Sequence, residues 1–267
     1  MKNPRIRARA ALLSAILLAL ATPFAATTTY AAGDESQSVS PQVVSPEAQA
    51  VLDRMTGYLR NLQTFSIDTD ATRDEVVALG YKLQHNEHTT LVVHRPNKLR
   101  AEIAGDIRDR TIVFDSGKLT MFSADDGAYV KTKAPDTVGT LISTLLDLGV
   151  DMPLIDVLYQ ATDGTIADGV RGGILVGEVD VNGVRCDHLA FRQANVDWQL
   201  WVEQGARPLP RKILITTRYE VGDPQYQAVL TWNLKPRIDA STFAFVAPEG
   251  ATEIPLDQPA SSEGGAP

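Results

Sequence analysis

The sequence predicts an α+β fold that is mainly β: a curled antiparallel sheet of about eleven strands, with a helical lid and an N-terminal helix. Three observations carry this. Apolar residues recur at every second place through much of the chain, the mark of strands buried on one face. Turn-forming pairs separate many of those runs. The helical stretches are short, and helices about 10 Å wide cannot blanket eleven flat strands spaced about 4.8 Å apart. An apolar sheet face left in water forfeits roughly 1.5–3 kcal/mol for each large side chain. The sheet therefore wraps toward itself as a barrel or half-barrel, with helices plugging its mouth.

Lys2, Arg5, Arg7 and Arg9 precede an apolar run from Ala10 to Ala21, and small residues follow to Gly33. This is the pattern of a secretory signal peptide over 1–32, too short in its apolar part for a stable membrane span. No later segment approaches a span's length, so no transmembrane segment is expected in the mature protein. The single cysteine, Cys186, is far from the cleavage region and leaves no route to lipidation there or to an intrachain disulfide. Residues 33–45 and 257–267 are polar and rich in Pro, Ser and Gly, and read as a disordered linker and tail. One domain of about 210 residues, 46–256, lies between them.

The formal charge is -8, from 25 basic and 33 acidic residues. Without the four leader cations, 21 basic residues face 33 acidic ones, a net charge of -12. That balance argues against nucleic acid as a partner and against electrostatic adhesion to anionic lipid.

Ser45-Pro46-Glu47 reads as an N-cap with proline at the first helical position, and apolar residues then recur at helical spacing over 46–62. From there the period is two. Phe65, Ile67, Thr69 and Ala71 share a face, as do Leu99, Ala101 and Ile103. Val196, Trp198, Leu200 and Val202 form another such set, and so do Tyr226, Ala228, Leu230, Trp232 and Leu234. Less regular strands fit 76–85, 87–94, 110–115, 118–123, 127–131, 174–181, 184–192 and 211–220. Turns are expected at Asp115-Ser116-Gly117, Asp125-Asp126-Gly127, Asn182-Gly183 and Gly222-Asp223-Pro224. Residues 135–160 carry apolar residues at helical spacing with few charges. Asp136 can cap a first helix there, and Asp151 with Pro153 can start a second. Such helices are buried on more than one side or cover an apolar opening.

Reactive residue types concentrate between Cys186 and Lys212. Cys186 and His188 share a strand face, but roughly 7 Å apart along it, too far for a direct hydrogen bond. Asp197 and Glu203 lie about 20 Å apart along their strand, so they form no glycosidase pair by themselves. His85 and His88 point to opposite faces, and Glu87 alone completes no metal shell. No phosphate loop, nucleophile elbow or zinc-protease motif occurs, and no cofactor is called for. The bland alternative is a buried thiol and a hydrogen-bonded structural histidine. Trp201 breaks the alternation as an aromatic on the polar face; the N-terminal helix covers it, or it marks a partner surface.

"LVVHRPNKLRAEI", then "DSGKLTMFS", then "DASTFAFVAPEGATEI" resemble the periplasmic lipoprotein-carrier superfamily, which includes the lipoprotein localisation factors. "CDHLAFR", "VDWQLWVEQG" and "PLPRK" are similar to a family of predicted periplasmic proteins of unknown function within it. The resemblance spans about residues 46–256. It implies an incomplete antiparallel barrel with a helical lid over an apolar cavity that receives acyl chains. It also implies that Arg95, of the R-P-N motif, bonds to lid backbone and couples lid closure to an empty cavity. Ala101 stands where the carriers have an aromatic residue, and "GKLTMFS" lacks their tryptophan.

The resulting expectation is a periplasmic, non-enzymatic binding or carrier protein for a lipid, acyl chain or other hydrophobic ligand. Phe65, Ile67, Leu99, Ile103, Trp198, Leu200, Leu230 and Trp232 are the expected cavity walls, and Leu141, Ile142, Leu145 and Leu146 the lid. The same residues also suit a packed core. An envelope sensor or protein-interaction module on the same scaffold is the alternative.

Overall fold

The computed structural model describes residues 44–147 and 153–255. The expected leader, most of the linker, the C-terminal tail and the Asp151 cap lie outside the described residues.

Helix α1 (Pro46–Asn61) begins as its sequence dictates: Ser45 is the N-cap, its Oγ accepts from the Ala48 N–H at 3.2 Å, and Pro46 opens the helix. Ala48, Val51, Leu52, Met55, Thr56 and Leu59 form its buried stripe. Eleven longer strands and one very short strand follow. They are β1 (Thr64–Val76), β2 (Lys82–His94), β3 (Lys98–Gly105), β4 (Arg110–Asp115), β5 (Lys118–Ser123) and β6 (Ala128–Lys133). After helices α2 (Val138–Asp147) and α3 (Pro153–Asp163) come β7 (Gly172–Val181), β8 (Val184–Arg192), β9 (Val196–Glu203), β10 (Pro210–Thr217), β11 (Gln225–Asn233) and β12 (Thr252–Glu253).

All twelve form one sheet, in the order β12-β6-β5-β4-β3-β2-β1-β11-β10-β9-β8-β7. Its ends do not meet, so the sheet is curled and open. Every pairing is antiparallel except that of β12 with β6. The connection from β6 at one edge to β7 at the other is the one that carries α2 and α3. Val44 bridges to Gly173 on β7 and β12 lies beside β6, so each edge is partly covered.

Alternation places Phe65, Ile67, Thr69 and Ala71 of β1 on the inner face, beside Leu91 and Val93 of β2 and Leu230 and Ala228 of β11. These residues and the buried stripe of α1 belong to one apolar cluster. The helix thus fills part of the hollow that the curled sheet creates.

Two expectations need correction. The strands expected at 76–85 and 87–94 are one strand, β2, and the turn falls earlier, at Val77–Tyr81. Leu79 (φ 66°) and Gly80 (φ 78°) both adopt the left-handed conformation there. Glycine does so freely, but leucine at such a position is a poor turn signal, which hid the hairpin from a sequence reading. The cap of α2 is Thr137, whose Oγ1 accepts from the Thr140 N–H, and not Asp136. Where glycine and asparagine supplied the signal, turns fell as expected: Ser116 and Gly117 turn β4 into β5, and Asn182 and Gly183 turn β7 into β8.

Candidate functional site

The expected walls all lie on the inner face. Phe65, Ile67, Leu99, Trp198, Leu200 and Leu230 are buried, whereas Ile103 and Trp232 are half-buried. Ile67 faces Trp232 and Thr69 faces Leu230 across the β1–β11 pair, and Leu200 faces Ile213 across β9–β10. Phe65 packs at 5.5 Å from Trp232, whose indole N–H donates to the Pro210 carbonyl at 2.8 Å. Phe191 stacks on Trp198 at 4.0 Å, and Gly173 leaves room for it: a Cβ there would come within 2.6 Å of the Phe191 ring. Of the expected lid, Leu141 and Ile142 are buried, and Leu145 and Leu146 pack half-exposed against the same cluster.

The face is not covered evenly. One cross-strand row runs Leu91, Ala101, Ile112, Met121, Val130 from β2 to β6. Leu91 and Ala101 are buried, Ile112 and Val130 are half-buried, and Met121 is 40% exposed. The apolar inner face therefore becomes more exposed toward the β6 edge. Sequence reasoning missed Ile112, Met121 and Val130 because apolar residues stand next to one another in these short strands, as at Ile112-Val113, Met121-Phe122 and Tyr129-Val130. Val113, the outward neighbour of Ile112, is buried under the C-terminal segment, so alternation did not say which side is inside. A buried hydroxyl without a hydrogen-bond partner among the described residues, Thr69 Oγ1, also sits in this inner wall.

Arg95 joins the helices to the sheet. Its Nη1 donates to the carbonyls of Leu59 (3.0 Å), Leu62 (3.1 Å) and Arg60 (3.4 Å) at the end of α1, adding to the Leu62 N–H bond that Leu59 already accepts. Its Nη2 donates to Thr162 Oγ1 on α3 at 3.2 Å. Partial burial lowers its pKa from the usual arginine range, and these acceptors compensate the lost hydration. The adjacent Pro96 carbonyl accepts from the Val138 N–H at 2.8 Å, so the R-P-N turn holds all three helices. Arg60 adds bonds to the Thr162 and Asp163 carbonyls at 2.8 and 3.2 Å. At the other end of the sheet, Asp187 accepts from Arg54 of α1 at 3.0 Å and from Gln204 at 2.6 Å.

The reactive types of β8 and β9 are accounted for by packing. Burial pushes the Cys186 thiol up to about 11, and its Sγ donates to the Val184 carbonyl. His188 bonds Gln199 at 2.9 Å and stacks on Trp201 at 4.3 Å, so it does not engage Cys186. Lys212, on the strand at its other side, lies over the indole at 4.9 Å from the ring centroid. Trp201 is thus buried on the outer face by its cross-strand neighbours, not by α1. Asp197 pairs with Arg192, which holds its carboxyl below the usual range, and Glu203 pairs with Arg211. His85 bonds Glu75, His88 bonds Asp70, and no group of three metal-ligating side chains occurs among the described residues.

A family model described as "Predicted periplasmic protein (DUF2092)" matches residues 48–257. The chain belongs to this family. The match thus covers the whole sheet, α2, α3 and all but the first two residues of α1. Comparison with curated proteins gave no match. Among solved structures, the chain is similar to an uncharacterized conserved protein from Thermus thermophilus (12% identity, TM-score 0.45, 79% of this chain and 99% of that one). It is also similar to the lipoprotein LppX from Mycobacterium tuberculosis (11%, 0.44, 73% and 99%). A LolA superfamily protein from Nitrosomonas europaea matches as well (9%, 0.35, 74% and 97%). Among the described residues of this family member, no helix is long and apolar enough to cross a membrane.

Proposed function

We propose that the protein binds or carries a lipid, acyl chain or other hydrophobic ligand in the periplasm, after removal of the leader and without lipidation. The observation that carries this reading is the graded row from Leu91 to Met121 and Val130. An apolar inner face that is sealed at one side and open at the other accepts apolar ligand surface at about 25 cal/mol per Å2 removed from water. The ligand enters beside Met121 and lies along Ile112, Ile103 and Leu99. It reaches the deeper walls at Phe65, Ile67, Leu230, Trp232, Leu200 and Trp198 as α2 and α3 swing outward with Leu141, Ile142, Leu145 and Leu146. Arg95 gates that movement, because parting α3 from α1 breaks its bond to Thr162. No covalent step is involved.

The test is to purify the protein from its native envelope, extract it, and analyse bound lipid by mass spectrometry, with a fluorescent fatty acid titrated in parallel. Finding neither extracted lipid nor fatty-acid binding rejects this reading.

A second reading, an envelope sensor or protein-interaction module, is favoured by one feature. The tips of the β1–β2 and β10–β11 hairpins adjoin, with Lys82 Nζ donating to the Asp223 carbonyl at 3.4 Å. They present Leu79 (94% exposed) and Val221 (82%) beside Tyr81 and Tyr219. A photo-cross-linker placed at position 79 captures a discrete envelope protein if this reading holds, and none if it does not.

A further inference from the structure

The outer face of β3–β6 carries a cleft that the inner-face reading does not use. The chain after β11 crosses that face, pressing Phe243 and Phe245 onto it before pairing as β12. Phe245 packs at 5.2 Å from Tyr129 and 5.9 Å from Phe122. Between this segment and β4–β6 lies a cleft of about 700 Å3, bordered by Lys118, Lys131, Lys133, Phe243, Phe245 and Pro255.

The charge arrangement inside is unusual. Lys98, Asp115, Lys118 and Lys133 stand in one straight cross-strand row, each directly opposite the next. Asp115 is committed to Lys98 by a 2.7 Å bond, and Lys98 also lies over the Phe243 ring. Lys118 and Lys133 face each other as a like-charge pair, offset in part by the attraction between Asp115 and Lys118, and neither makes a hydrogen bond or salt bridge with another described residue. Lys131, diagonal to them on the same face, has Glu253 at 3.5 Å. Of the ionisable side chains bordering the cleft, three are lysines and one is the already paired Asp115, in a chain whose net charge is -8. A lysine pair at one side of an apolar cleft suits a ligand with a charged end and an apolar body.

We propose that this outer cleft binds an amphiphile with an anionic head, its carboxylate or phosphate between Lys118 and Lys133 and its chain against Phe243 and Phe245. Ligand binding converts the like-charge pair from a repulsion into a two-point anion contact.

The experiment is calorimetric titration of the full chain carrying Met121→Glu, which blocks the exposed part of the inner face and so separates this site from the one proposed above. Dodecanoate, dodecyl phosphate and dodecanol are compared, with and without Lys118→Gln/Lys133→Gln. The expected result is anion binding that weakens at least tenfold in the lysine variant and that exceeds dodecanol binding. Dodecanoate alone binding assigns a carboxylate head; dodecyl phosphate alone assigns a phosphate head. Anion affinity unchanged by the lysine substitutions, or binding of neither anion, overturns the proposal. Removing a like-charge pair does not threaten folding, and thermal melting of the variant at or above the parent midpoint confirms that a loss of binding is not a loss of structure.

Discussion

Arg95 and Leu59 are 36 residues apart in the chain, yet the Arg95 guanidinium donates to the Leu59 carbonyl at 3.0 Å. One side chain at the end of β2 thereby closes the C-terminal end of α1 and reaches Thr162 on α3. The helices that cover the inner face are held to the sheet at the R-P-N turn.

Arg95→Ala is therefore expected to destabilise the protein by about 1.5–3 kcal/mol, the range for hydrogen bonds made by a charged group. Urea unfolding measures the loss. Hydrogen exchange should speed up at the ends of α1 and α3 and remain slow in β8–β10. Arg95→Lys should restore little, because one ammonium cannot span the Leu59 and Leu62 carbonyls and the Thr162 hydroxyl together.

Thr69 buries a hydroxyl between Leu230 and Thr89, with no hydrogen-bond partner among the described residues. Replacing it by the near-isosteric valine removes the desolvation cost, so Thr69→Val should gain about 1 kcal/mol. A denaturant midpoint shifted upward at unchanged slope is the expected reading.

Met121→Glu places a charge in the exposed part of the inner face. The side chain is already 40% exposed, so stability should change by about 0.5 kcal/mol or less. In the Lys118→Gln/Lys133→Gln background, where the outer cleft no longer takes an anionic head, binding of a fluorescent fatty acid should weaken at least tenfold, since a carboxylate would be desolvated against the ligand.

Cys186 makes a pH prediction. Burial raises its thiol from an ordinary value of 9.0 to about 11. The folded state then holds its proton where the unfolded chain releases it, so stability is unaffected below about pH 9 and declines between pH 9 and 11. Cys186→Ala should flatten that alkaline decline. At pH 8 a maleimide should leave the native thiol unlabelled and react once the chain is unfolded in urea.

Much of this architecture was legible from local patterns. Ser45 and Pro46 announced α1, and the alternation around Ile67, Trp198 and Leu230 assigned those side chains to the inner face. Asn182-Gly183 announced a hairpin because both residues tolerate the left-handed conformation. The hairpin at Leu79 was illegible because an apolar β-turn residue carries no such signal. The exposed part of the inner face was illegible too, since Ile112 and Val113 are both apolar and only the path of the C-terminal segment distinguishes their faces.

The sequence by itself determined the mainly β class, the N-terminal helix and which side chains of the regular strands share a face, because strand pleat and helix pitch are properties of neighbouring residues. Tertiary structure decided what those elements do together. It set α1 inside the curl, closed that helix with an arginine from the turn after β2, buried Trp201 between His188 and Lys212, and aligned Lys98, Asp115, Lys118 and Lys133 across four strands. Such meetings depend on cross-strand register and on which layer covers which face. Register is fixed by pairing between distant segments, so it has no signature within any one of them.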